Sequence, residues 1–168
     1  MGIQLLCNGE SYSCKYVDWI VFREEIANAS IRYLRTIYND LTDRPEQPDT
    51  DEQDQQQQQQ QEEDQTRIEK ILEYVDVNNC ATIPDFIVLL SDVEFQNSFI
   101  YFELGGVFAL LHKNDDEGYY TIGNSLDIED TMELIEPHII YDDVKNRYNS
   151  IKKVFQESVM SRRIVTIC

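Results

Sequence analysis

The chain has 168 residues and a formal net charge of −18, with 14 Lys and Arg against 32 Asp and Glu. A balance this acidic repels phosphate backbones and anionic lipid headgroups, so no nucleic-acid partner and no membrane partner are expected. The length suits one domain with a real core, and no apolar run approaches the length of a membrane span.

Ile3–Cys7 and Ser11–Tyr16 are short β-compatible runs around Asn8-Gly9-Glu10, which predicts a hairpin. Asp18 is placed to cap the helix that follows. Trp19, Phe22, Ile26, Tyr33 and Ile37 recur at helical spacing, and Ile20, Ala27, Ile31, Leu34, Tyr38 and Leu41 widen the stripe. That width predicts a helix buried on more than one side.

Asp43–Gln65 has no apolar residue besides two prolines and carries the run Gln55–Gln61. Its first 22 residues hold nine acids and one arginine, so the rest of the chain still carries about −10. The stretch cannot bury enough surface to repay its ordering entropy, which predicts a disordered acidic poly-Gln tether at 43–65 interrupting a single domain over 1–168.

Thr66-Arg67-Ile68-Glu69 has the form of a capping box, opening a short helix with Ile68, Ile71, Leu72 and Val75 inward and an end near Asp76. Thr82-Ile83-Pro84-Asp85 predicts another helix start, with one or two buried turns over Phe86–Leu90. Phe95–Leu104 fits helix and strand about equally. Gly105-Gly106 reads as a chain break, and Val107–His112 and Tyr119–Gly123 as a second hairpin about the acidic tip 114–118. Ser125 or Asp127 caps a short helix ending before Pro137. Val144, Tyr148, Ile151, Phe155 and Val159 mark an amphipathic helix from Asp142, which Arg162-Arg163 ends before a strand over Ile164–Cys168. The expected class is α+β: two β-hairpins and a C-terminal strand packed with a long N-terminal helix and several shorter ones.

Little of this carries chemistry. Setting Gly118 at the sixth position of an EF-hand loop puts Lys113 first and Asn124 last, where Asp and Glu are needed. The glycines form no phosphate loop. Cys7, Cys14, Cys80 and Cys168 include no C-x-x-C pair, and free thiols in a reducing, cytoplasmic setting are expected, although Cys7 and Cys14 on one hairpin could bridge if they faced each other. Met1-Gly2 opens like a myristoylation signal, but Leu6 replaces the required Ser or Thr. The sequon Asn28-Ala29-Ser30 falls inside a predicted helix, and the ending Thr166-Ile167-Cys168 reads as a buried strand before it reads as a PDZ ligand. The acids Asp127, Glu129, Asp130, Glu133 and Glu136, then Asp142 and Asp143, mostly fall in early helical turns where they complement the dipole.

No catalytic residue, cofactor or metal ligand is assigned. The expected function is non-enzymatic, through interaction with a protein partner that the net charge allows to be basic. One alternative is a small hydrolase or transferase using His112 or His138 with nearby carboxylates. Another is a structural subunit of a larger assembly, for instance a viral one.

Overall fold

A computed structural model describes residues 2–43, 52–77, 99–112 and 118–168; for 52–58, 61, 74–77, 99–103, 108 and 112 it describes the backbone alone. The predicted turn at 82–90, Cys80 and most of the acidic tip lie outside these residues. Among the described residues are four strands and five α-helices, an α+β fold.

Strand β1 (Gly2–Cys7) and strand β2 (Glu10–Lys15) form the expected hairpin, with Leu5 opposite Tyr12 and Cys7 opposite Glu10. Asn8 and Gly9 sit at φ +46° and +97°, the left-handed pair that a two-residue hairpin loop needs. Strand β3 (Gly118–Tyr120) and strand β4 (Val165–Ile167) complete an antiparallel sheet in the order β2-β1-β4-β3. Ile3, Leu5, Cys7, Tyr12, Tyr120, Val165 and Ile167 make its buried face. The register aligns Ser11, Leu6, Thr166 and Tyr119 in one row across the opposite face.

Helix α1 (Tyr16–Thr42) runs close to the expected length. Trp19, Phe22, Ile26, Ala27, Ile31 and Leu34 are buried, while Tyr33, Ile37, Tyr38 and Leu41 are half-buried. Asp18 is not its cap. Lys15 holds the N-cap position without a side-chain bond, and Asp18 lies in the first turn, where it accepts from Arg147 Nη2 at 3.1 Å.

Helix α2 (Glu52–Val77) differs from the expected tether. From Glu52 onward the acidic, Gln-rich stretch is helical. Gln and Glu are good helix formers, and a helix anchored at one end extends at one hydrogen bond per residue without further burial. The anchor is Ile68 and Ile71, both buried in the core that α1 also enters. Thr66 is therefore mid-helix, its hydroxyl donating to the Glu62 carbonyl at 2.8 Å, and no capping box forms there. Residues 44–51 lie outside the description.

Helix α3 (Phe99–His112) replaces both the expected break at Gly105-Gly106 and the first strand of the second hairpin. Leu104, Val107 and Leu111 bury one stripe. Gly106 marks a close helix crossing. A Cβ there would stand 2.2 Å from the Asp127 carbonyl oxygen and 2.5 Å from the Ile128 Cα. Its N–H donates to Thr131 Oγ1 at 3.1 Å.

Helix α4 (Ile122–Ile135) is capped by Thr121, not by Ser125 or Asp127. Thr121 Oγ1 accepts from the Asn124 N–H at 3.1 Å, and the Thr121 N–H donates to Asn124 Oδ1 at 3.2 Å, a capping box closed by Asn. A 3-10 turn over Glu136–His138 contains Pro137. Helix α5 (Asp142–Ser161) buries Val144, Tyr148, Ile151, Val154 and Phe155 and packs on the sheet, with Val159 only half-buried. The Phe155 ring meets Tyr120 edge-on at 5.2 Å. Arg162 turns the chain out of the helix at φ +55°.

Candidate functional site

His138 and His112 are the side chains most suited to acid–base work. The segments that carry them are held at two separate points along α1. Arg23 donates to the Leu111 carbonyl, one residue before His112, and Arg32 Nε donates to the His138 carbonyl at 2.7 Å. Nine residues of helix place these two contacts roughly 13 Å apart along the axis and on opposite sides of it. The His112 side chain is outside the described residues.

The His138 imidazole is half-buried against the Tyr33 ring, with centroids 5.6 Å apart. Burial first, and then the Arg32 guanidinium, push its pKa below the usual imidazole range. A pairing carboxylate would do the reverse. The carboxylate of this region is Glu25, buried at 4% exposure and ion-paired to Arg32, and it also accepts from the Ile140 N–H at 3.2 Å. Both oppositely charged groups are thus engaged in fastening residues 138–140 to α1. Glu25 is the buried partner and Arg32 is about one-third exposed, so losing Arg32 strands a buried carboxylate whereas losing Glu25 leaves a cation that water still reaches.

The lowered pKa has a testable sign. His138 in the folded protein takes up a proton at lower pH than in the unfolded chain. Its contribution is therefore complete above the unfolded value, near pH ~6.5, and is lost as pH falls through that value toward the folded one. Between pH ~7.5 and ~5.5, urea unfolding should show wild type losing more stability than His138→Gln. Equal losses in the two proteins would remove His138 from the acid response.

Among the described residues, the thiols of Cys7, Cys14 and Cys168 do not converge. Cys7 is buried, with its sulfur 3.8 Å from the Arg163 carbonyl. Cys14 is half-buried beside the Tyr12 hydroxyl, and burial pushes its thiol pKa up. That suppresses the thiolate a nucleophile or ligand needs. The register sets Cys7 opposite Glu10 and Cys14 opposite Ile3, so the two do not bridge. Cys168 is exposed. No group of three or more His, Cys, Asp or Glu among the described residues could hold a metal ion.

The acidic cluster on α4 divides. Lys152 bridges Glu133 at 3.3 Å and Glu136 at 3.7 Å. Asp127, raised above the usual carboxylate range by burial and then by Asp130, points from the exposed side. A buried hydroxyl pair, Ser158 donating to Ser125 at 2.8 Å, joins the end of α5 to the start of α4. Its two side chains are fully enclosed, so the pair is a packing joint.

A different kind of site lies where α1 and α5 begin. Two bridges lock these helix ends: Arg147 grips Asp18 through its carbonyl at 3.0 Å and its carboxylate at 3.1 Å, and Glu25 holds the Ile140 N–H. Val21 is one turn from each bridged residue of α1 and on the same side, so it faces outward over the gap between the bridges. It is 44% exposed. Val17, one turn earlier, is 69% exposed, and Ile140 and Tyr141 are 59% and 56% exposed. Exposed Glu24, Asp142 and Asp143 border them. Lys145 stands one turn after Tyr141 and Asp142, on their side, while Lys152 serves Glu133 and Glu136. No sequence signal marked this ridge, because Val17 and Val21 lie just off the apolar stripe and Ile140-Tyr141 lies 119 residues further on.

The chain matches no family model, no curated protein and no solved structure. Among the described residues, no helix is long and apolar enough to cross a membrane.

Proposed function

We propose that this is a non-enzymatic binding domain of the cell interior that acts through protein–protein interaction. The observation that supports this reading is a contrast. The charged groups nearest His138 are engaged in holding one chain segment to α1, while four apolar side chains stand uncovered on one flank. Contiguous exposed apolar side chains with a polar rim are what a protein interface presents. Free Cys7, Cys14 and Cys168 fit a reducing compartment. The hydrolase alternative draws no support from His138, whose pKa is moved by a cation and by burial.

The test is co-purification of the full chain, tagged, from its native cells. The expected result is a protein that stays bound at constant stoichiometry through a second, orthogonal column and fixes the complex mass by light scattering. Elution of the chain alone would refute the reading. Turnover of a small-molecule ester or phosphate panel that is abolished by His138→Gln would replace it with the enzyme alternative.

A further inference from the structure

We infer that the ridge of Val17, Val21, Ile140 and Tyr141 receives a short, basic, amphipathic helix of the partner protein. This rests on the binding reading above and adds where the partner sits and what it is made of. Val17 and Val21 are one turn apart on α1 and form a ridge of the kind that seats in the groove of a second helix. Ile140 and Tyr141 extend the apolar surface to the adjoining helix end, so the contact is wide enough to hold apolar side chains repeated at one-turn spacing. The two bridges at Asp18 and Glu25 hold both sides of this surface in register before any partner arrives, which limits the ordering cost of binding.

Charge selects the partner. Glu24, Asp142 and Asp143 outnumber Lys145 beside the ridge, and the whole chain carries −18. A second copy would bring the same three acids against their equivalents, and an anionic membrane would be repelled. Lys and Arg on the shoulders of an incoming helix answer these acids, and Leu, Ile or Phe on its underside answers the ridge.

The probe is a synthetic helix of about 14 residues with Leu at one-turn spacing and Lys elsewhere, read against its own scrambled sequence by fluorescence anisotropy in about 0.15 M salt. The patterned peptide should bind the intact chain at least about tenfold more tightly than the scrambled one. Val21→Asp and Ile140→Asp should each weaken it by about tenfold although each makes the protein more negative. Met160→Asp, at a position 79% exposed near the other end of α5, adds the same charge and should leave binding unchanged or slightly tighter. Glu24→Lys should weaken it about threefold. Should Val21→Asp lose its helical circular dichroism, Val17→Asp, at the more exposed position, takes its place.

Equal binding of patterned and scrambled peptides would overturn the inference. So would Val21→Asp and Ile140→Asp variants that bind as Met160→Asp does. In either case a stoichiometric partner in the co-purification would leave the binding reading standing, with its surface elsewhere. A chain with no co-purifying protein would remove both.

Discussion

Gly106→Ala should destabilise the protein by about 3 kcal/mol or more, at the upper end of what overpacking costs, while Gly105→Ala should stabilise it by about 0.5–1 kcal/mol. The two glycines are neighbours in α3 and differ only in what they face. At Gly105 an added methyl group meets nothing within 4 Å, and alanine removes the entropy cost of glycine in a helix. At Gly106 it lands on the backbone of α4, 2.2 Å from Asp127 O and 2.5 Å from its carbonyl carbon, and backbone cannot rotate aside as a side chain can. The helices would have to separate, and the 3.1 Å bond from the Gly106 N–H to Thr131 would go with them. Urea unfolding of both variants is the measurement. Opposite signs are expected, and a Gly106→Ala protein as stable as Gly105→Ala would mean that α3 and α4 do not cross at this point.

Trp19→Ala should cost about 3–5 kcal/mol. The indole is 2% exposed and stacks on Phe22 at a centroid distance of 5.5 Å. Truncation would leave a cavity in the cluster where α1 meets the other helices and the sheet. As the single tryptophan, it also reports its surroundings directly. Its emission should be blue-shifted in the folded protein and move to the solvated position on unfolding. Emission already typical of solvated indole, in a chain that still unfolds cooperatively, would mean that this stretch of α1 is open.

Elements whose period is set by their own burial were legible in the sequence. The hairpin, α1 and α5 follow from alternation, from Asn8-Gly9 and from long 3.6-residue stripes. What was not legible depended on neighbours. Gly105-Gly106 reads as a break because glycine is a poor helix residue in isolation, yet here Gly106 is what lets another helix approach. Val107–His112 has the composition of a strand, and its packing on α4 keeps it helical. Thr66 has the residues of a capping box, but a local motif cannot reveal that the helix had already begun at Glu52. The Gln-rich stretch has no apolar content of its own to signal order, yet from Glu52 onward it is continuous with the helical turns that bury Ile68 and Ile71. At the candidate sites, His138 is visible in the sequence, but Arg32 meets its carbonyl across 106 residues and Glu25 meets Ile140 across 115. The ridge stayed invisible for the same reason.

Strand β4 lies between β1 and β3, and its partner residues in β1 precede it by 160 positions or more. The sheet is thus assembled in an order that synthesis cannot follow. The β1–β2 hairpin is available early, since it closes over two residues, but the edge of β1 that will receive β4 stays open until residues 165–167 have been made. Closing so long a loop is slow, and an unpaired strand edge is meanwhile a template for the wrong chain. Nascent and refolding molecules should be most prone to aggregate in this interval, and a change that weakens β4 would be felt in yield before it was felt in the finished protein.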